Sequence, residues 1–152
     1  MHDSRTIANR FLALAAADGS ALTPMQLLKL VYIAHGWSLG LTGRPLIKDT
    51  VEAWQYGPVL PRLYESIRHY RGAPVTDSLP APLARDELTE DEERFLGDVY
   101  RRYGQKDGLE LSRLTHAPGS PWSKTYDEAA SFGRPIPNDL IRAYYEDLAA
   151  KP

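Results

Sequence analysis

The sequence predicts a mainly α-helical, compact single domain packed around one central apolar helix at about residues 23–42, with a short strand or small β-hairpin at about 51–56 and 75–79. Three observations predict it. From Leu22 to Gly43 apolar residues recur at three- and four-residue steps on almost every side, the pattern of a helix buried all round. That stretch and one later open with a Thr followed three residues on by Gln or Glu, at Thr23/Gln26 and Thr89/Glu92, the signature of a capping box. Period-two alternation is convincing only in Val51–Tyr56, so strand content is small. A chain of 152 residues, 43% hydrophobic and 25% charged, has the ordinary composition of a soluble globular domain.

Taken in order, Asp3 can cap a first helix whose Ile7, Ala8, Phe11, Leu12, Leu14 and Ala15 form a stripe ending near Asp18-Gly19. The central helix follows, with Pro24 in its first turn, where no amide donor is needed, and Gly43 as its stop. Its apolar rows contain Leu27, Leu30, Val31, Ala34, Trp37 and Leu41, and beside them Leu28, Tyr32, His35 and Leu39. At about 1.5 Å per residue it spans roughly 28 Å, the width of a small domain. One narrow face carries Gly36 and Gly40; each glycine costs about 1 kcal/mol against alanine in a helix interior, so a close approach of another segment is expected there.

After Gly43 the strand at Val51–Tyr56 is halted by Gly57-Pro58, and a helix runs from about Pro61 to Tyr70, stopped by Gly72. Residues 73–88 contain Pro74, Pro80 and Pro82 and read as a loop or weak hairpin through Val75–Leu79. Thr89 opens a helix with Phe95, Leu96, Val99, Tyr100 and Tyr103 inward and an acidic first turn. A short helix over Leu111 and Leu114 reaches His116 and is broken by Ala117-Pro118-Gly119; another runs from Ser120 through Ala129, and a last one starts at about Pro137.

Charge and chemistry exclude several functions. The net charge of −2 divides into +3 over residues 1–76 and −5 over 77–152, far from the basic footprint of a nucleic-acid binder. Without cysteine there is no disulfide, thiolate nucleophile or cysteine-held metal. The four histidines are scattered, so neither metal nor cofactor is expected. The apolar run Leu12–Ala17 is too short for a signal core or a membrane span, and the lack of cysteine fits a reducing cytoplasm, where the protein is expected. No nucleophile elbow or phosphate loop stands out; His116 near Trp122 is the one suggestive catalytic arrangement, and a histidine holding a backbone group is the commoner use of such a residue.

The order of motifs is more informative than any one of them. Leu27-Leu28-Lys29-Leu30-Val31-Tyr32-Ile33-Ala34-His35-Gly36-Trp37, then Gly43-Arg44-Pro45-Leu46, then Glu52-Ala53-Trp54-Gln55-Tyr56-Gly57-Pro58-Val59, followed by Leu114-Thr115-His116 and Pro121-Trp122, resembles the Panacea domain of SocA-like antitoxins, a phage- and bacteria-associated family long described as a domain of unknown function. The resemblance spans about residues 4–148 and marks Tyr32, Gly36, Trp37, Glu52, Trp54, Gly57, Pro58, His116 and Trp122 as family-motif structural positions. It implies a non-enzymatic antitoxin that neutralises a protein toxin encoded by an adjacent gene, by masking it or by delivering it to a cellular protease. Lys29, Tyr56, Arg62 and Arg68, with the acidic start of the Thr89 helix, are the exposed candidates for partner binding. A homo-oligomer is compatible with this reading. Members often carry extra DNA-binding or partner-specifying segments, and this chain reads as the bare domain. The alternatives are a DNA-binding regulator and, further off, a small enzyme using His116; the central helix is too apolar to lie against phosphates. Glu52, on a strand face with two aromatics, is expected to pair with Lys29 or an arginine.

Overall fold

The computed structural model describes residues 1–80, 86–130 and 132–151. It is mainly helical, with one small antiparallel sheet. Helix α1 (Ser4–Ala17) leads through a short loop to α2 (Pro24–Thr42), which is the hub: α1, α3 (Pro61–Ile67), α4 (Glu90–Tyr103), α5 (Gly108–Thr115) and α7 (Asn138–Ala150) all pack on it. Every residue of α2 from Leu27 to Gly36 is buried. The capping box at its start is complete, with Thr23 Oγ1 accepting from the Gln26 amide and the Gln26 side chain accepting from the Thr23 amide; Gly43, with φ of 73°, ends it. Thr89 and Glu92 build the same box at α4.

The two glycines in α2 are where α7 comes closest. A β-carbon on Gly36 would lie 2.2 Å from the Tyr145 ring, and one on Gly40 would lie 2.6 Å from Tyr145 Cβ and 2.8 Å from its backbone. Tyr145 fills the space so created and meets Tyr32, Trp37 and Tyr144 edge-on at 6.5, 5.2 and 5.3 Å, the favoured geometry of aromatic pairs. Close packing on this face is therefore what offsets the poor helix propensity of glycine.

His35, fully buried on α2, ties down the loop that follows. Its Nδ1 accepts from the amides of Leu46 and Ile47 at 3.2 and 3.4 Å, so Nε2 bears the proton and donates to Asn138 on α7 at 3.0 Å. Burial moves the ring pKa down and keeps it neutral. The N-terminus is anchored as firmly. Asp3 caps α1 and receives Arg5 and Arg62, and the two Arg5 hydrogen bonds above all hold its carboxyl down to about 2. Both ring nitrogens of His2 face carboxylates, Asp86 at 2.6 Å and Glu92 at 2.7 Å.

Strands β1 (Glu52–Trp54), β2 (Gly57–Val59) and β3 (Arg134–Pro135) form the sheet in the order β2-β1-β3. Here the structure corrects the sequence reading. Gly57-Pro58 does not halt the strand but forms its hairpin partner: Glu52 lies opposite Val59, Ala53 opposite Pro58 and Trp54 opposite Gly57. Pro58 is tolerated because β2 is an edge strand, where a missing amide costs no ladder bond. Residues 75–79 are not a strand. Val75 and Leu79 are buried four residues apart, and backbone partners come singly, from Leu22 to the Val75 amide and from the Asn9 side chain to both amide and carbonyl of Leu79. The part of the expected loop at residues 81–85 lies outside the described residues.

Two helix ends differ as well, while the last helix starts where expected. α3 stops at Ile67 and continues as a single 3-10 turn to Tyr70. The positive φ that follows falls on Arg71, at 57° with ψ of −115°, rather than on Gly72. α6 (Pro121–Thr125) stops four residues short of Ala129, because the Asp127 carboxylate accepts from the Ala129 amide and offers the backbone a turn in place of helix. The last helix, expected from about Pro137, is capped by Pro137 and begins at Asn138.

Candidate functional site

The motif residues converge on the β1–β2 hairpin and the face of α2 behind it. Gly57 adopts φ of 122°, and a β-carbon there would meet Lys29 Nζ at 2.7 Å, so only glycine lets the hairpin close over the lysine. Lys29 rises from α2 beneath the hairpin and donates to the Pro58 carbonyl at 3.0 Å and the Tyr56 carbonyl at 3.4 Å. Expected at an exposed position, it is 3% exposed. The sequence places it on the same narrow face of α2 as Gly36 and Gly40, where the hairpin covers the lysine and α7 covers the glycines. Desolvation lowers its ammonium to about 8.

The rest of the motif buttresses the same turn. Ser112 on α5 donates its hydroxyl hydrogen to the Tyr56 carbonyl at 3.0 Å. His116, one helical turn on, lies 3.3 Å from that hydroxyl through Nδ1, and both contacts are hydrogen bonds when the imidazole donates. His116 packs edge-on against Trp122 at 5.4 Å, and the Trp122 indole donates to the Trp54 carbonyl at 2.5 Å. Trp122 stacks in turn on Tyr126 at 4.7 Å. Among the described residues Glu52 pairs with neither Lys29 nor an arginine. Its carboxylate accepts from the Trp54 indole two residues away at 2.9 Å, because alternate residues of a strand share one face.

What this scaffold presents outward is the hairpin tip. Tyr56 is 68% exposed, and beside it a groove of about 380 Å³ runs between the tip, the first turns of α2 and Tyr64 of α3, with Arg71 at its rim. Met25, at 41% exposure, forms its outer apolar lip. Of the four expected contact residues the structure brings Lys29 and Tyr56 together. Arg62 and Arg68 are exposed on α3 and its continuation, but both are engaged, Arg62 by Asp3 at 3.1 Å and Arg68 by Glu65 at 3.5 Å. The acidic start of α4 is also partly used within the molecule, since Glu92 closes its capping box and binds His2. Sequence reasoning missed Ser112, Met25 and Arg71. Ser112 was detectable as the residue four before His116 on one helix; Arg71 carried no signal, because Gly72 beside it is the more natural left-handed residue.

Among the described residues no cluster of three or more His, Asp or Glu is arranged to hold a metal, and no helix is long and apolar enough to cross a membrane.

The fold is a mainly helical domain whose signature residues brace a hairpin with an exposed tip. Its family is specific: the model described as "Antitoxin SocA-like, Panacea domain" matches residues 27–123, from α2 through α6, and the chain belongs to that family. Among individual proteins it is similar to antitoxin SocA of Caulobacter vibrioides (strain NA1000 / CB15N), with 30% identity over 132 residues covering 79% of this chain and 68% of the relative. No solved structure matches it at a significant level.

Proposed function

We propose that this protein is the antitoxin of a toxin–antitoxin pair, a non-enzymatic partner that binds a cognate protein toxin in the cytoplasm and neutralises it by masking or by handing it to a protease. The observation that carries the reading is the family match itself, laid over the α2–hairpin–α5 scaffold. The functional unit is one domain over residues 4–148, with Tyr56 at the centre of the interface, Lys29 behind it, and Arg62 and Arg68 as its charged margin. An interface of standard size, about 800 Å² per partner, needs such an aromatic centre with a polar rim. His116 serves this function only by holding the hairpin through Ser112.

Co-expression is the test. The protein should restore growth to cells poisoned by the toxin encoded beside its gene and should co-purify with it. His116→Asn should reduce rescue only as far as it lowers the melting temperature. A fully folded His116→Asn protein without rescue, together with catalytic modification of the toxin or its product by the wild type, refutes the binding reading in favour of an enzyme.

A further inference from the structure

The groove beside Tyr56 has a charge imbalance that its own fold does not relieve. Met25, Leu28, Tyr56 and Tyr64 give it apolar walls, and among the described residues Lys29 and Arg71 are its charged lining and no carboxylate lines it. Among the described residues neither cation takes part in an ion pair. The Lys29 ammonium has three donors and two backbone acceptors, one of them at the long distance of 3.4 Å. It is a buried charge short of a partner.

Arg71 points the same way by an independent route. The Ala73 amide bonds the Tyr70 carbonyl at 2.9 Å, closing a four-residue turn whose second position is Arg71 with φ of 57° and ψ of −115°. Those are the angles of a type II′ turn, which places glycine at that position. Here glycine stands one residue later, and an arginine carries the strain. A strained residue at the rim of a groove marks a position held for contact at the expense of folding.

We propose that this groove is where the toxin docks, and that it receives an apolar side chain of the toxin together with a neighbouring carboxylate, the apolar group against Met25, Leu28 and Tyr64 and the carboxylate on the exposed Arg71, with the Lys29 ammonium beneath the hairpin adding to the positive field. The proposal rests on the antitoxin reading and adds to it the site and the chemistry of the partner. A carboxylate at the rim gains a charge-assisted hydrogen bond from the Arg71 guanidinium. A basic residue in its place is repelled by two like charges, so the groove selects as well as binds.

The probe is acetyl-Leu-Phe-Asp-amide, titrated into the full ¹⁵N-labelled chain beside its Asn counterpart. Saturable shifts are expected at the amides of Met25, Leu28, Tyr56 and Gly57, with the Asp peptide bound roughly tenfold more tightly than the Asn peptide. Arg71→Gly, which keeps the turn, should abolish that preference, and the charge-changing control Arg94→Glu on α4 should retain it. Equal affinity for the two peptides, no saturation, or shifts confined to another face overturns the groove. Toxin rescue separates the two readings. If the wild type rescues and Arg71→Glu combined with Met25→Asp rescues equally well, the docking site is wrong and the antitoxin reading stands. If the wild type itself neither binds nor rescues, the antitoxin reading falls and the toxin is overturned as the occupant.

Discussion

Replacing Gly36 with alanine adds a single methyl group at the place where α2 and α7 are closest. That carbon would sit 2.2, 2.5 and 2.6 Å from Cε2, Cζ and Cδ2 of Tyr145, inside van der Waals contact with half a ring. The ring has little room to turn aside, since Trp37 and Tyr144 stand edge-on to it at 5.2 and 5.3 Å and the Tyr145 backbone lies against Gly40. Relief requires the two helices to separate. Overpacking of a filled core costs about 1–3 kcal/mol, and because both backbones must move the upper part of that range applies. Alanine recovers about 1 kcal/mol of helix propensity. The net expectation is a loss of about 2 kcal/mol, or a melting temperature roughly 4–8 °C lower for a domain of this size. Thermal and urea unfolding of Gly36→Ala, Tyr145→Leu and the double variant measure it. The smaller ring-free side chain should make the alanine tolerable, so the double variant should be more stable than the summed single losses by at least about 1 kcal/mol. Gly36→Leu should be worse than alanine. A Gly36→Ala protein that melts above the wild type, or strict additivity in the double variant, refutes the close-packing account.

Arg71→Gly should stabilise the isolated protein by about 1 kcal/mol, since it releases about 1–3 kcal/mol of backbone strain and returns 0.4–1 kcal/mol through the freer unfolded chain; a lower urea midpoint would contradict the turn assignment. Lys29 should make stability rise with pH over an alkaline window. Its ammonium loses its proton near pH 8 when folded and near 10.5 when unfolded, so between those values the unfolded chain holds more protons and stability climbs, by up to about 3 kcal/mol if the window is completed. Tyr32 and Tyr145, whose phenols burial pushes up, reverse the trend once unfolded tyrosines ionise above about pH 10. Lys29→Met should abolish the rise between pH 8 and 10, and a persisting rise would assign it to another group. Tyr32→Phe should be neutral or stabilising by about 1 kcal/mol, because among the described residues the buried Tyr32 hydroxyl has no hydrogen-bond partner; a loss of about 1 kcal/mol or more would show that the hydroxyl is bonded in solution.

The sequence by itself determined the elements whose cause is local. Thr23 with Gln26 and Thr89 with Glu92 place two helix starts to the residue, because a capping box involves only side chains and amides within one turn. The all-round apolar pattern of α2 identified the hub, and Gly36 and Gly40 foretold a close neighbour without naming it as Tyr145. The ordered motifs also sufficed to name the family. What only the tertiary structure decided are pairings between distant segments. That β1 pairs with Gly57–Val59 and with Arg134–Pro135, and not with residues 75–79, depends on which backbone amides find partners after the helices have packed. Lys29 and Glu52 look like one ion pair in the sequence, yet the hairpin folds so that its carbonyls take the lysine and the Trp54 indole takes the glutamate. The groove exists for the same reason: Met25, Tyr56, Tyr64 and Arg71 are far apart along the chain, and only the packing of the hairpin and α3 against α2 makes them one surface.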